Sequence, residues 1–144
     1  MSPRTSISLD QFNQQVLSCQ DEAFTLALCI LGDEDAACEV VLKAILQVYS
    51  DRGNDDIVIK VRVLQGVILI CRKMKPSKTY NAKEWIPGWN QLDHSEQEAL
   101  LLVDVLQKSY QNTAVLLNNS ESDVAQVVAQ GRYKLIRNSD SVPE

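Results

Sequence analysis

Between Ser8 and Gly32 the chain places Phe12, Val16, Cys19, Ala23, Leu26, Ala27 and Ile30 at steps of three and four, with no proline or glycine inside the stretch. Such steps line side chains up on one stripe of an α-helix, and the stretch is far longer than an ordinary strand. Ser8 and Gln11 stand three apart in the form of a capping box, and Gly32 supplies a residue suited to a left-handed C-cap. A single helix of this kind cannot bury its own stripe, so the rest of the chain has to supply helices or a sheet against it. Five Gly and four Pro in 144 residues are too few for a sandwich or barrel of many short strands. An apolar share of 45% is ordinary for a globular chain. The expectation is an all-α fold.

Asp33, Glu34 and Asp35 place acids where a second helix begins and its dipole favours them. Ala37, Val40, Val41, Ala44, Ile45 and Val48 form its apolar face, to about Tyr49, and residues 51–56 make a turn. Residues 57–71 are ambiguous: their Val and Ile content favours a strand, and fifteen residues without a turn signal favour a heavily buried helix. Arg72, Lys73 and Lys75 form a basic C-terminal turn stopped by Pro76. Residues 76–91, with Pro76, Pro87 and Gly88, read as a linker. Trp85 and Trp89 within it are expected to dock on a neighbouring helical unit, and each is a packing anchor rather than a ligand platform. Asp93 and Glu96 form a second capping box, followed by Ala99, Leu100, Leu102, Val103 and Leu106. Residues 109–117 read as a short helix, Asn118 and Asn119 as a turn, and Ser120 as the cap of a last helix to about Arg137, with a frayed tail at 138–144. The expected organisation is a three-helix unit at 8–75, a linker at 76–91 and a helix-turn-helix unit at 92–138.

Fourteen basic against nineteen acidic side chains give a net charge of −5, the reverse of a chain whose main task is gripping nucleic acid. Residues 1–75 carry a net −2, residues 76–91 a net +1 and residues 92–144 a net −4. Cys19, Cys29, Cys38 and Cys71 form no C-x-x-C pair, and with one histidine in the chain a structural zinc has no ligand cluster. They read as reduced core thiols of a cytoplasmic protein. No signal-peptide core is visible, and no apolar stretch approaches the ~20 residues that span a bilayer. No Gly-rich phosphate loop or nucleophile motif is present, and His94 reads as a surface residue, so neither an enzyme nor a cofactor is expected.

The run from Ser109 through the last helix, behind the helix at 94–106, has the helix-turn-helix plan. Together with residues 24–49, two helices joined at Gly32 and Asp33, it resembles the bacterial RNA polymerase sigma factors of the small extracytoplasmic-function type. The likeness spans roughly residues 10–137. It implies a transcription protein that binds RNA polymerase core through the second helix, with Asp35, Glu39, Lys43 and Gln47 as contacts, and promoter DNA through the last helix. The family carries Lys or Arg along 124–129, which this chain lacks; the polar residues it does offer as readers are Ser120, Ser122, Gln126 and Gln130, with Arg132, Lys134 and Arg137 for the backbone. The set Lys60, Arg62, Arg72, Lys73, Lys75 and Lys78 is a second basic patch for nucleic acid.

The sequence also departs from that family. Gly66, Val67 and Cys71 stand in the third helix where polar readers of promoter DNA would be, and apolar groups cannot hydrogen-bond bases or phosphates. Cys38, Val41 and Leu42 replace polar residues in the second helix. Glu121 and Asp123 bring the wrong charge to a phosphate field. The alternative is therefore a degenerate sigma fold serving as a protein-interaction or regulatory module, bound to an anti-sigma-like partner or to itself, without DNA binding.

Overall fold

A computed structural model describes residues 8–51, 58–75, 80 and 84–140, with side chains to residue 137. The described residues are all-α: six α-helices, a 3-10 turn and a π-turn. The expected turn at 51–56 lies, apart from Asp51, outside them, as do Pro76 and Lys78.

Helix α1 is Leu9–Leu31. The Ser8 hydroxyl accepts from the Gln11 amide while the Gln11 side chain accepts from the Ser8 amide, and Gly32 closes the helix at φ 70°. Helix α2, Glu34–Asp51, starts on Asp33, whose carboxylate accepts from the Ala36 amide at 2.9 Å. The ambiguous segment is helix α3, Ile59–Met74. Its six buried residues, Ile59, Val63, Leu64, Val67, Ile68 and Cys71, are covered by α1 and α2, so burial on a helix-packing surface overrides strand propensity. Gly66 marks the crossing of α2 and α3: a Cβ there would lie 3.1 Å from Ala44 Cβ. The residue that breaks the family pattern thus has a packing reason.

After α3 the chain passes Tyr80, which is buried, to a 3-10 turn at Trp89–Gln91. Trp89 is buried as expected, whereas Trp85 is 46% exposed and leans edge-on against it at 5.0 Å. Helix α4, His94–Leu100, is capped by the Asp93–Glu96 box and runs into a π-turn at Leu101–Val105. There the Leu106 amide donates to the Leu101 carbonyl at 2.9 Å, and Gln107 takes φ 56° to redirect the chain. Helix α5, Tyr110–Leu117, is capped by Ser109 and ends on Asn118 in the left-handed region. Helix α6 is Glu121–Asp140, with the Ser120 hydroxyl accepting from Asp123 at its start. It continues past Arg137, so residues 138–140 are helical rather than frayed.

Helices α1–α3 pack on one another, and α4 and α5 pack on α6. The two groups touch where α3 meets α5 and where α1 meets the π-turn. Across that boundary the Gln65 amide donates to the Val115 carbonyl at 3.0 Å, and Lys108 pairs with Glu22 at 2.6 Å.

Candidate functional site

Side chains become available to a partner only where packing leaves them free, and the polar candidates divide sharply on this test. On α2, Asp35, Glu39, Lys43 and Gln47 are all exposed. Their spacing of four aligns them along one ridge of the helix. Leu42 and Leu46, each 56% exposed, stand beside that ridge. Of the three positions expected to be polar, Cys38 and Leu42 are exposed while Val41 is buried. Gln20, Asp21 and Phe24 of α1 face Cys38, Val41, Leu42 and Ile45 of α2 across an open groove of about 320 Å³. Residues 9–51 hold eight acidic side chains and a single basic one, Lys43. The surface is an apolar strip set in an acidic hairpin.

The cations proposed for nucleic acid are arranged otherwise. Lys60, Arg62, Arg72 and Lys73 are exposed and Lys75 is half-buried, all on α3 or its C-terminus. At 1.5 Å per residue, Lys60 and Arg62 lie about 15–20 Å along the axis from Arg72 and Lys73, so the set forms two clusters rather than one patch. Arg72 is engaged: its Nε and Nη2 donate to the two Glu98 carboxylate oxygens at 2.9 and 2.6 Å. That pairing raises the Arg72 pKa, against the opposing effect of burial. On α6, Arg132 forks onto Asp104 at 3.2 and 2.5 Å, and Lys134 reaches Glu96 at 2.8 Å. The hydrogen bonds to those carboxylates raise both pKa values. Ser120, Ser122, Gln126, Gln130 and Arg137 are exposed. Tyr133 and Ile136 share the outer side of α6, 65% and 61% exposed. Glu121 and Asp123 add negative charge where the helix dipole would otherwise attract phosphate.

Sequence reasoning did not find the buried polar cluster between the two helix groups. Glu98 and Gln97 are fully buried on α4. The Tyr80 hydroxyl donates to Glu98 at 2.5 Å, and its amide donates to Gln97 Oε1 at 2.9 Å. Gln97 Nε2 in turn donates to the Trp89 carbonyl at 3.0 Å. Burial and the Glu98 charge both push the Tyr80 pKa up. His94 stacks flat on Tyr80 with centroids 3.8 Å apart, half-buried rather than out on the surface. The signal available in sequence was the run Glu96, Gln97, Glu98 inside an apolar helix, which a capping box explains only at Glu96.

The thiols also separate. Cys19 and Cys71 are buried, Cys29 is half-buried and Cys38 is exposed, so the reading of all four as core thiols fails at Cys38. Among the described residues no group of His, Cys, Asp or Glu is placed to hold a metal ion. No helix there is long and apolar enough to cross a membrane.

No family model and no curated protein matches this sequence. The structure does match a solved one: the sigma factor RpoE of Bartonella quintana, crystallised in complex with the anti-sigma factor NepR. The superposition covers 94% of this chain and 100% of that one, with a TM-score of 0.73 and 14% sequence identity. The chain has the fold of a sigma factor. At that identity the likeness speaks for the arrangement of helices, and the surfaces must be read from the residues present here.

Proposed function

We propose that this chain is a sigma-fold transcription regulator that works by protein contact, binding RNA polymerase core through the outward face of α2. The observation that carries the reading is the free ridge of Asp35, Glu39, Lys43 and Gln47 beside exposed Leu42 and Leu46. Charged groups around apolar anchors are the usual make-up of a specific protein interface. An anti-sigma-like protein, of the kind bound to RpoE of Bartonella quintana, is the second partner class that this surface suits. The reaction is positioning or sequestration, without covalent chemistry, and its setting is the cytoplasm.

Promoter reading is the subordinate function. Ser120, Ser122, Gln126, Gln130 and Arg137 present polar atoms on α6. Arg72, Arg132 and Lys134, however, are engaged by Glu98, Asp104 and Glu96. A phosphate would have to displace those carboxylates before it gained their charge, so counterion release favours DNA little.

The test is retention of purified polymerase core by the immobilised chain at about 0.1 M salt, where contacts within about 10 Å remain felt. The control carries Glu39→Lys and Lys43→Glu together. Retention that the control loses supports the reading. Absence of retention from a folded, helical chain refutes polymerase binding. Strong DNA retention at the same salt makes promoter reading the primary function instead.

A further inference from the structure

Across the boundary between α1–α3 and α4–α6 lies a buried charge, beside the packing of α3 on α5 and of α1 on the π-turn. Glu98 sits on the packed side of α4 with its side chain 1% exposed, a place where an apolar residue would pack without penalty. Its partners come from elsewhere: Arg72 from the end of α3 and Tyr80 from the connection. Both carboxylate oxygens are occupied, one by Arg72 Nη2 and the other by Arg72 Nε and the Tyr80 hydroxyl. Gln65 to Val115 and Lys108 to Glu22 are further polar contacts across the boundary, both outside the buried cluster.

We propose that the Arg72–Glu98–Tyr80 cluster is a latch that fixes the two helix groups in the closed arrangement. A buried ion pair adds little net stability over apolar packing, yet removal of one partner strands the other charge; its best-attested use is to select one register among alternatives. Here the register is the orientation of one half against the other. In the closed state the Arg72 guanidinium is engaged by Glu98, so a partner that uses it must first draw Arg72 away from Glu98. An anionic group presented to Arg72 is the chemistry that does so, because it replaces the carboxylate with an equivalent bidentate acceptor. The inference is independent of the polymerase reading.

The deciding variant is Arg72→Met, which removes the charge from a side chain 41% exposed on α3, leaves Glu98 without its cation and replaces no buried side chain. Small-angle X-ray scattering on the full chain gives its size, and far-ultraviolet circular dichroism its helix content. A compact chain of this length has a radius of gyration of about 15 Å; two halves swung apart have roughly 18–19 Å. The latch predicts the larger radius for Arg72→Met at unchanged helicity, and an intermediate value for Arg72→Lys, which keeps the charge without the fork. An unchanged radius with unchanged helicity overturns it, because the halves are then held without the pair. Loss of helicity with the increase also overturns it, because Arg72 is then part of one cooperative core. Polymerase retention is measured separately, so failure of that reading leaves this result standing.

Discussion

Adding one methyl group to α3, by Gly66→Ala, sets two opposed effects against each other, and the structure decides the sign. In an open helix the change gains about 1 kcal/mol, since alanine is the better helix former. Gly66 has no need of glycine's conformational freedom: among the described residues the positive φ values belong to Gly32, Gly88, Gln107 and Asn118. What it provides is closeness. The new Cβ would lie 3.1 Å from Ala44 Cβ and 3.6 Å from Ala44 Cα. Ala44 is fully buried and has no rotamer by which to move aside, so α2 and α3 must separate by several tenths of an ångström. Overpacking of this kind costs about 1–3 kcal/mol. The net expectation is a loss of about 1 kcal/mol, or about 0.5 M in urea midpoint at a slope of about 2 kcal/mol per M. Urea melts followed by circular dichroism measure it. The double variant Ala44→Gly, Gly66→Ala moves the methyl from one helix to the other and restores the spacing, so the cycle shows a favourable coupling of about 1–2 kcal/mol. A Gly66→Ala midpoint above that of the parent, with no coupling, refutes the close crossing.

Three further outcomes follow from the burial or exposure of single side chains. Thr113 is fully buried on α5, and its hydroxyl has no hydrogen-bond partner among the described residues. Thr113→Val keeps the shape and is expected to stabilise by about 1 kcal/mol in the same urea assay; a clear loss shows that a buried water serves the hydroxyl. Iodoacetamide labelling at pH 8, mapped by peptide mass, is expected to modify exposed Cys38 first and Cys71 last, because burial and then Glu98 push Cys71 up to about 12 and hold it as the thiol. The sign for stability follows: above the ordinary thiol value of 9.0 the unfolded chain sheds that proton and the folded one keeps it, so this group's contribution falls as pH rises from 9 towards 12. Cys71→Val should flatten that part of the pH profile, and an unchanged slope refutes the assignment.

The helices were legible because their causes are local. Ser8 with Gln11, Asp33, Ser109 and Ser120 each satisfy amides within three residues of themselves, and Gly32 and Asn118 adopt the left-handed turn their side chains permit. The apolar stripe of α1 names the residues found buried there, since a period of three and four defines a face whatever covers it. The segment at 57–71 was not decided by propensity, because a helix buried against two others is apolar nearly all round and loses its period. The π-turn at Leu101–Val105 carried no signal, its extra residue being absorbed in hydrogen bonding rather than in residue type.

The surfaces divide along the same line. Exposure of Asp35, Glu39, Lys43 and Gln47 followed from α2 alone, as the face opposite its stripe. Whether a cation is free depends on residues distant in sequence: Glu98 stands 26 positions from Arg72, Asp104 stands 28 from Arg132, and Glu96 stands 38 from Lys134. Outside residues 57–71 and the end of the last helix, sequence by itself determined which stretches are helical, where they are capped and which face each one buries, because those choices are settled within a few residues. Tertiary structure alone decided that Gly66 is a helix crossing, that Tyr80 is interior while Trp85 is not, and that three of the candidate DNA-binding cations are already neutralised. Those depend on which helices meet, and distance along the chain does not encode that.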